Sequence, residues 1–168
     1  VHITGHLSLA DALAAVKQER IVTSVQIGHD ALLKLGIATP RIGVAGLNPH
    51  AGEEGAFGRE EVEEIAPAVA ACHAAGMHCI GPVPPDTVFR KMREGEFDMV
   101  IAMYHDQGHI PLKLIAMDEG VNVTLGTSIV CARLSTTVRR LISPGRGVPG
   151  RTALSRRSRW LRVWGHSD

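Results

Sequence analysis

The sequence predicts an α/β fold whose sheet is mostly parallel and flanked by helices. Three observations carry that prediction. Short apolar runs at Ile42-Gly43-Val44-Ala45, Met99-Val100-Ile101-Ala102 and Val121 to Leu125 read as buried strands. Segments of helical period separate them, and glycine-bearing or histidine-bearing loops follow them. Open sheets of this kind keep their ligands at the carboxyl ends of the strands, so those loops are where chemistry is expected.

At 168 residues and 45% hydrophobic content the chain can bury one core. No apolar run approaches the roughly 20 residues that span a bilayer. The opening Val1-His2-Ile3-Thr4-Gly5-His6 has neither the basic start nor the apolar stretch of a signal peptide, and reads as the middle of a longer protein. Cys72, Cys79 and Cys131 fit ordinary small core residues better than a disulfide framework or a Cys-rich zinc site, which points to the cytoplasm. The net charge of +1 hides a division. Residues 1–130 carry a balance of −7 and residues 131–168 one of +8, so the chain is expected to divide at about residue 130 into an α/β domain and a basic, irregular tail.

In order, Ser8 is a helix N-cap with Asp11 three residues on, and the helix continues over Ala12 to Val16. A second helix runs from Gln18 to Leu35 on the stripe Ile21, Val25, Leu32 and Leu35, with Gly28 permitting close approach and Gly36 as its stop. The strand at Ile42 leads into Leu47-Asn48-Pro49-His50-Ala51-Gly52-Glu53-Glu54-Gly55. A helix then spans Arg59 to Ala75 with Val62, Ile65, Val69 and Cys72 inward and a kink at Pro67. Its glutamates, Glu60, Glu61, Glu63 and Glu64, have a simple role at the positive end of the helix dipole. Met77 to Gly81 is a strand, Gly81 to Asp86 a stiff loop with Asp86 as cap, and Thr87 to Glu94 a helix. Asp98 to Ala102 is a strand, His105 sits in the loop after it, and Ile110 to Met117 is helical with Pro111 in its first turn.

His6, His50 and His105 each border a regular element. Three neutral imidazoles meeting at one point would hold a divalent ion with positions open for substrate oxygens. Their separations match no local metal motif, and a lone loop histidine is usually only solvated. Asp106 could orient an imidazole, and Lys113 could hold an anion or assist proton transfer; solvated side chains are the plainer reading of both.

Four segments then resemble one family: Gly46-Leu47-Asn48-Pro49-His50-Ala51-Gly52-Glu53, Gly81-Pro82-Val83-Pro84-Pro85-Asp86-Thr87, Met103-Tyr104-His105-Asp106-Gln107-Gly108 and Gly120-Val121-Asn122-Val123-Thr124-Leu125-Gly126. In order and without gaps from about His2 to Val130, they are similar to 4-hydroxythreonine-4-phosphate dehydrogenases. The resemblance implies an isocitrate and isopropylmalate dehydrogenase-like fold and a homodimer with each active site built from both subunits. It implies His6, His50 and His105 as ligands of a divalent metal (zinc, magnesium or cobalt), Lys113 and Asn122 as substrate contacts, and Lys113 and Asp106 as catalytic candidates. The implied reaction is NAD-dependent oxidation of a secondary alcohol followed by loss of carbon dioxide, within pyridoxine biosynthesis. His109-Ile110-Pro111-Leu112-Lys113 looks more like the branch that takes 4-phospho-D-threonate or D-erythronate.

After Gly126 the family would continue with an arginine contact and a run of the form D-H-G-T-A-x-D-I-A-G-K-G. Here Cys131 and Ala132-Arg133-Leu134-Ser135 stand instead, and no residue of this chain is assigned to the nicotinamide cofactor. Codons for Ser135 onward can encode the missing run in a neighbouring frame. The expectation is therefore a frame slip near Val130 to Cys131 and an inactive or nearly inactive fragment. The competing reading is a non-catalytic metal-binding or basic-tailed interaction protein. No membrane partner is expected, and the tail shows no nucleic-acid-binding motif.

Overall fold

The computed structural model describes residues 1–117, 120–125 and 131–134. The chain forms two compact units, Val1–Pro111 and Leu112–Asp168. In the first, β1 (Ile42–Ala45) lies between β2 (Cys79–Val83) and β3 (Met99–Ile101), all parallel. Residues 1–3 run alongside β3, with Ile3 N–H donating to the Ala102 carbonyl at 2.8 Å. The carboxyl ends of these strands therefore share one edge.

Alternation along β1 separates two apolar layers. Ile42 and Val44 join Ile21, Val25 and Leu32 of α2 (Gln18–Lys34) and Val69 and Cys72 of α3 (Ala66–Ala74). Ala45 packs with Val83, Phe97 and Val88, the last from α4 (Val88–Arg93). Two close approaches depend on glycine. A Cβ on Gly43 would come within 2.7 Å of the Phe97 ring, and one on Gly28 would come equally close to Met99 Sδ. Cys72 and Cys79 are buried free thiols in this core.

Much of the expected order is present. Helix α1 (Leu9–Ala14) starts at the Ser8 cap, whose Oγ accepts from Asp11 N–H at 3.2 Å. Four expectations are corrected. The helix after the His50 segment opens with a π-helical turn, Glu61–Ile65, before α3. The wider turn moves Val62 to the surface and Glu61 into the interior. Strand β2 runs on to Val83, two residues into the expected loop, and Thr87 rather than Asp86 precedes α4. Finally, α5 (His105–Ala116) begins five residues early, so His105 lies on a helix and Pro111 inside it.

In the second unit, β4 (Val121–Thr124) pairs antiparallel with β5 (Cys131–Leu134). A strand thus occupies the first four residues of the expected irregular tail. The remainder, residues 135–168, lies outside the described residues, as does any structural test of the frame slip there. No helix among the described residues is long and apolar enough to cross a membrane.

Candidate functional site

Helical spacing puts His105 and His109 on one face of α5, and their ring centroids are 4.2 Å apart. His6, on the turn after residues 1–3, brings its ring to 5.3 Å from His105 at 46°. Two imidazoles bound to one tetrahedral zinc, with nitrogen–metal distances of about 2.0–2.1 Å, would hold their centroids about 5 Å apart and not parallel. The His6–His105 pair fits that requirement. His2 and His109, at 4.5 Å and 23°, are instead stacked face to face. Burial, followed by the terminal ammonium and the neighbouring His109 and His105 rings, pushes the His2 imidazole down to about 4.

Asp106 Oδ1 lies 2.7 Å from His105 Nδ1. The neutral tautomer that donates Nδ1–H to this carboxylate leaves Nε2 with the lone pair, which is the form a metal or proton requires. A cavity of about 280 Å³ adjoins the pair, lined by Gly5, His6, Leu7, Tyr104, His105 and Asp106 among others.

His50 stands at the end of β1 in an unusual backbone. His50, Ala51, Gly52, Glu53 and Glu54 have φ of 53°, 56°, 79°, 41° and 57°, a left-handed turn in which only one of the five is glycine. For L-residues that conformation costs roughly 1–2 kcal/mol each. Glu61 holds the segment that leads into it. Its Oε1 accepts from the Leu47 and Asn48 N–H groups, both at 2.7 Å, and its Oε2 accepts from Asn48 Nδ2 at 2.8 Å. Hydrogen bonds to a charged group contribute about 1.5–3 kcal/mol apiece, enough to fix the approach to the turn. The His50 ring lies against Phe57, with centroids 6.2 Å apart. The structure brings His6 and His105 together and leaves His50 on its own turn. Among the described residues no three His, Cys, Asp or Glu side chains are grouped to hold one ion.

The family described as pyridoxal phosphate biosynthetic protein PdxA matches residues 1–136. The chain belongs to the PdxA family. It is 47% identical over 131 residues to a D-threonate 4-phosphate dehydrogenase of Cupriavidus necator, covering 77% of this chain and 39% of the relative. It is 50% identical over 130 residues to a 4-hydroxythreonine-4-phosphate dehydrogenase of Beijerinckia indica, with 77% and 39% covered. The crystal structure of a 4-hydroxythreonine-4-phosphate dehydrogenase from Klebsiella pneumoniae superposes with a TM-score of 0.75 at 53% identity, over 78% of this chain and 40% of that one. The chain therefore spans about two fifths of the length of the curated relatives it matches.

Two further candidates in this PdxA-family chain belong to the second unit. Lys113 is exposed on α5, eight residues beyond His105, and Asn122 is on β4. Sequence reasoning missed Glu61, one of four glutamates with a shared helix-dipole explanation. It also passed over Thr4 and Gln107. The one available hint was their position, each within three residues of a strand-end histidine or at the start of the helix that follows one.

Proposed function

We propose that this PdxA-family chain is part of a metal-dependent and NAD-dependent dehydrogenase. Its substrate is a 4-phosphorylated hydroxy acid, whose secondary alcohol is oxidised and which then loses carbon dioxide. The observation that carries the reading is the 5.3 Å approach of His6 to His105, in a family whose named relatives act on such acids. In this reading His6, His50 and His105 hold a divalent ion, and His50 is supplied across a homodimer.

When bound, such an ion supplies Lewis acidity to the substrate oxygen. The chain's own residues do the rest. Asp106 keeps the His105 lone pair available, Lys113 and Asn122 bind the anionic substrate, and Lys113 moves a proton. Leu7 and Tyr104 line the cavity beside the two rings. Residues His109 to Lys113 favour 4-phospho-D-threonate or D-erythronate over 4-hydroxythreonine 4-phosphate. The reading places the protein in the cytoplasm.

The test is NADH formation by the complete, frame-corrected protein with each of the three phosphorylated acids. Single His6→Ala, His50→Ala and His105→Ala variants should each abolish zinc-dependent turnover. Turnover that survives all three substitutions would remove the metal reading.

A further inference from the structure

Among the described residues three polar side chains are buried, Thr4, Glu61 and Gln107. Each serves a different histidine-bearing segment. Thr4 Oγ1 donates to the Met103 carbonyl at 2.9 Å, which seats the turn leading to His6 against the end of β3. Gln107 Oε1 accepts from Met103 N–H at 2.6 Å, while its Nε2 donates to the Gly46 carbonyl at 2.8 Å. That one side chain ties the start of the His105 helix to the exit of β1. Glu61 then takes the next two amides of that exit, Leu47 and Asn48, just before His50.

The bonds form a continuous line, Thr4 to Met103 to Gln107 to Gly46, with Glu61 adjoining it at Leu47. Every backbone group they satisfy lies where a sheet strand has ended and its ladder no longer offers a partner. A polar group is disfavoured in an apolar interior unless it is bonded, so a core built for stability alone would place few such groups here. These gather at the strand ends that carry His6, His50 and His105. We infer that Thr4, Gln107 and Glu61 are positioning residues, a buried frame that fixes the three histidine-bearing segments in one arrangement within a chain. The inference rests on the metal reading above and adds to it the residues that set the ligand positions.

The experiment uses the full 168-residue chain, Co²⁺ as the probe, and amide hydrogen exchange as a readout independent of metal. Thr4→Val removes the donor at nearly constant shape and Thr4→Ser restores it. Glu61→Leu removes the oxygen that accepts from Leu47 and Asn48. Thr4→Val and Glu61→Leu should weaken Co²⁺ binding about 10-fold to 100-fold. Thr4→Ser should bind close to wild type, and Leu47 and Asn48 should exchange faster in Glu61→Leu while the amides of β1 keep their protection.

If His105→Ala loses Co²⁺ but Thr4→Val and Glu61→Leu bind like wild type, the frame is wrong and the metal reading stands. If wild type takes no Co²⁺, or His105→Ala takes it equally well, the metal reading falls. Exchange then decides the frame: unchanged rates at Leu47 and Asn48 overturn it, and faster rates support it. Should Glu61→Leu fail to fold, the Thr4→Val and Thr4→Ser pair decides, through Co²⁺ affinity or, without metal binding, through exchange at Met103 and Gln107. Equal behaviour of the two overturns the frame.

Discussion

The carboxylate of Asp106 sits 2.7 Å from the Nδ1 atom of His105, on adjacent residues in the first turn of α5. The contact sets which nitrogen of the ring faces outward. Asp106→Ala should therefore lower zinc affinity by about 10-fold to 100-fold without unfolding the chain. Isothermal titration at neutral pH, with circular dichroism as the control, measures this. Unchanged affinity would leave Asp106 as a surface carboxylate.

Gly52 has φ of +79°, and a Cβ there would come within 2.7 Å of Glu61 Oε2. Gly52→Ala adds a backbone penalty of about 1 kcal/mol and also dislodges a buried carboxylate bonded to Asn48. A loss of roughly 2–4 kcal/mol is expected in urea unfolding. Gly28→Ala should cost less, since the atom it meets is the flexible Met99 sulfur. Equal losses for the two would show that the turn is unstrained.

Asp98 and Arg41 pin the starts of β3 and β1, with Asp98 Oδ2 accepting from the Arg41 backbone N–H at 2.8 Å and Oδ1 from its guanidinium at 2.9 Å. Bonding to that guanidinium holds the Asp98 carboxyl below its ordinary value of 3.8. The folded state thus releases this proton more readily than the unfolded one. The stabilisation is complete above the unfolded value and is lost as pH falls through the lower folded one. Asp98→Asn should be less stable than wild type near neutrality, and the gap should close in acid. Urea midpoints across that range test it, and a constant gap would rule out the ionised pair as its cause.

The tail has a genetic test. Reading the gene one or two bases out of register from about Val130 should recover a run of the form D-H-G-T-A-x-D. If no single frame change does so, residues 131–168 are a real basic segment. Their deletion should then abolish any salt-dependent shift of DNA mobility.

The sequence exposes what depends on local period. The Ser8 cap, the start of α2 at Gln18 and the β1 run are legible because neighbouring residues repeat the same message. The sequence pattern puts His105 in a loop because Gly108 and Pro111, both poor helix residues, interrupt the period of α5. It turns Val62 the wrong way because one π-helical turn shifts the facing of the residues within it. The left-handed run at His50 leaves no trace, since three of the four residues beside Gly52 that form it carry ordinary α-helical preferences and the fourth is histidine. Glu61 accepts hydrogen bonds from Leu47 and Asn48, 14 and 13 residues back, and so fixes the approach to that run. Such a partner cannot be read along the chain.

A backbone wound against its natural hand before any ion arrives has a consequence for the order of events. In the metal reading proposed above, the entropy of fixing the backbone around His50 is lost while the polypeptide folds, not when an ion is met. Loosening that coil would leave the backbone at His50 to be ordered anew at every encounter.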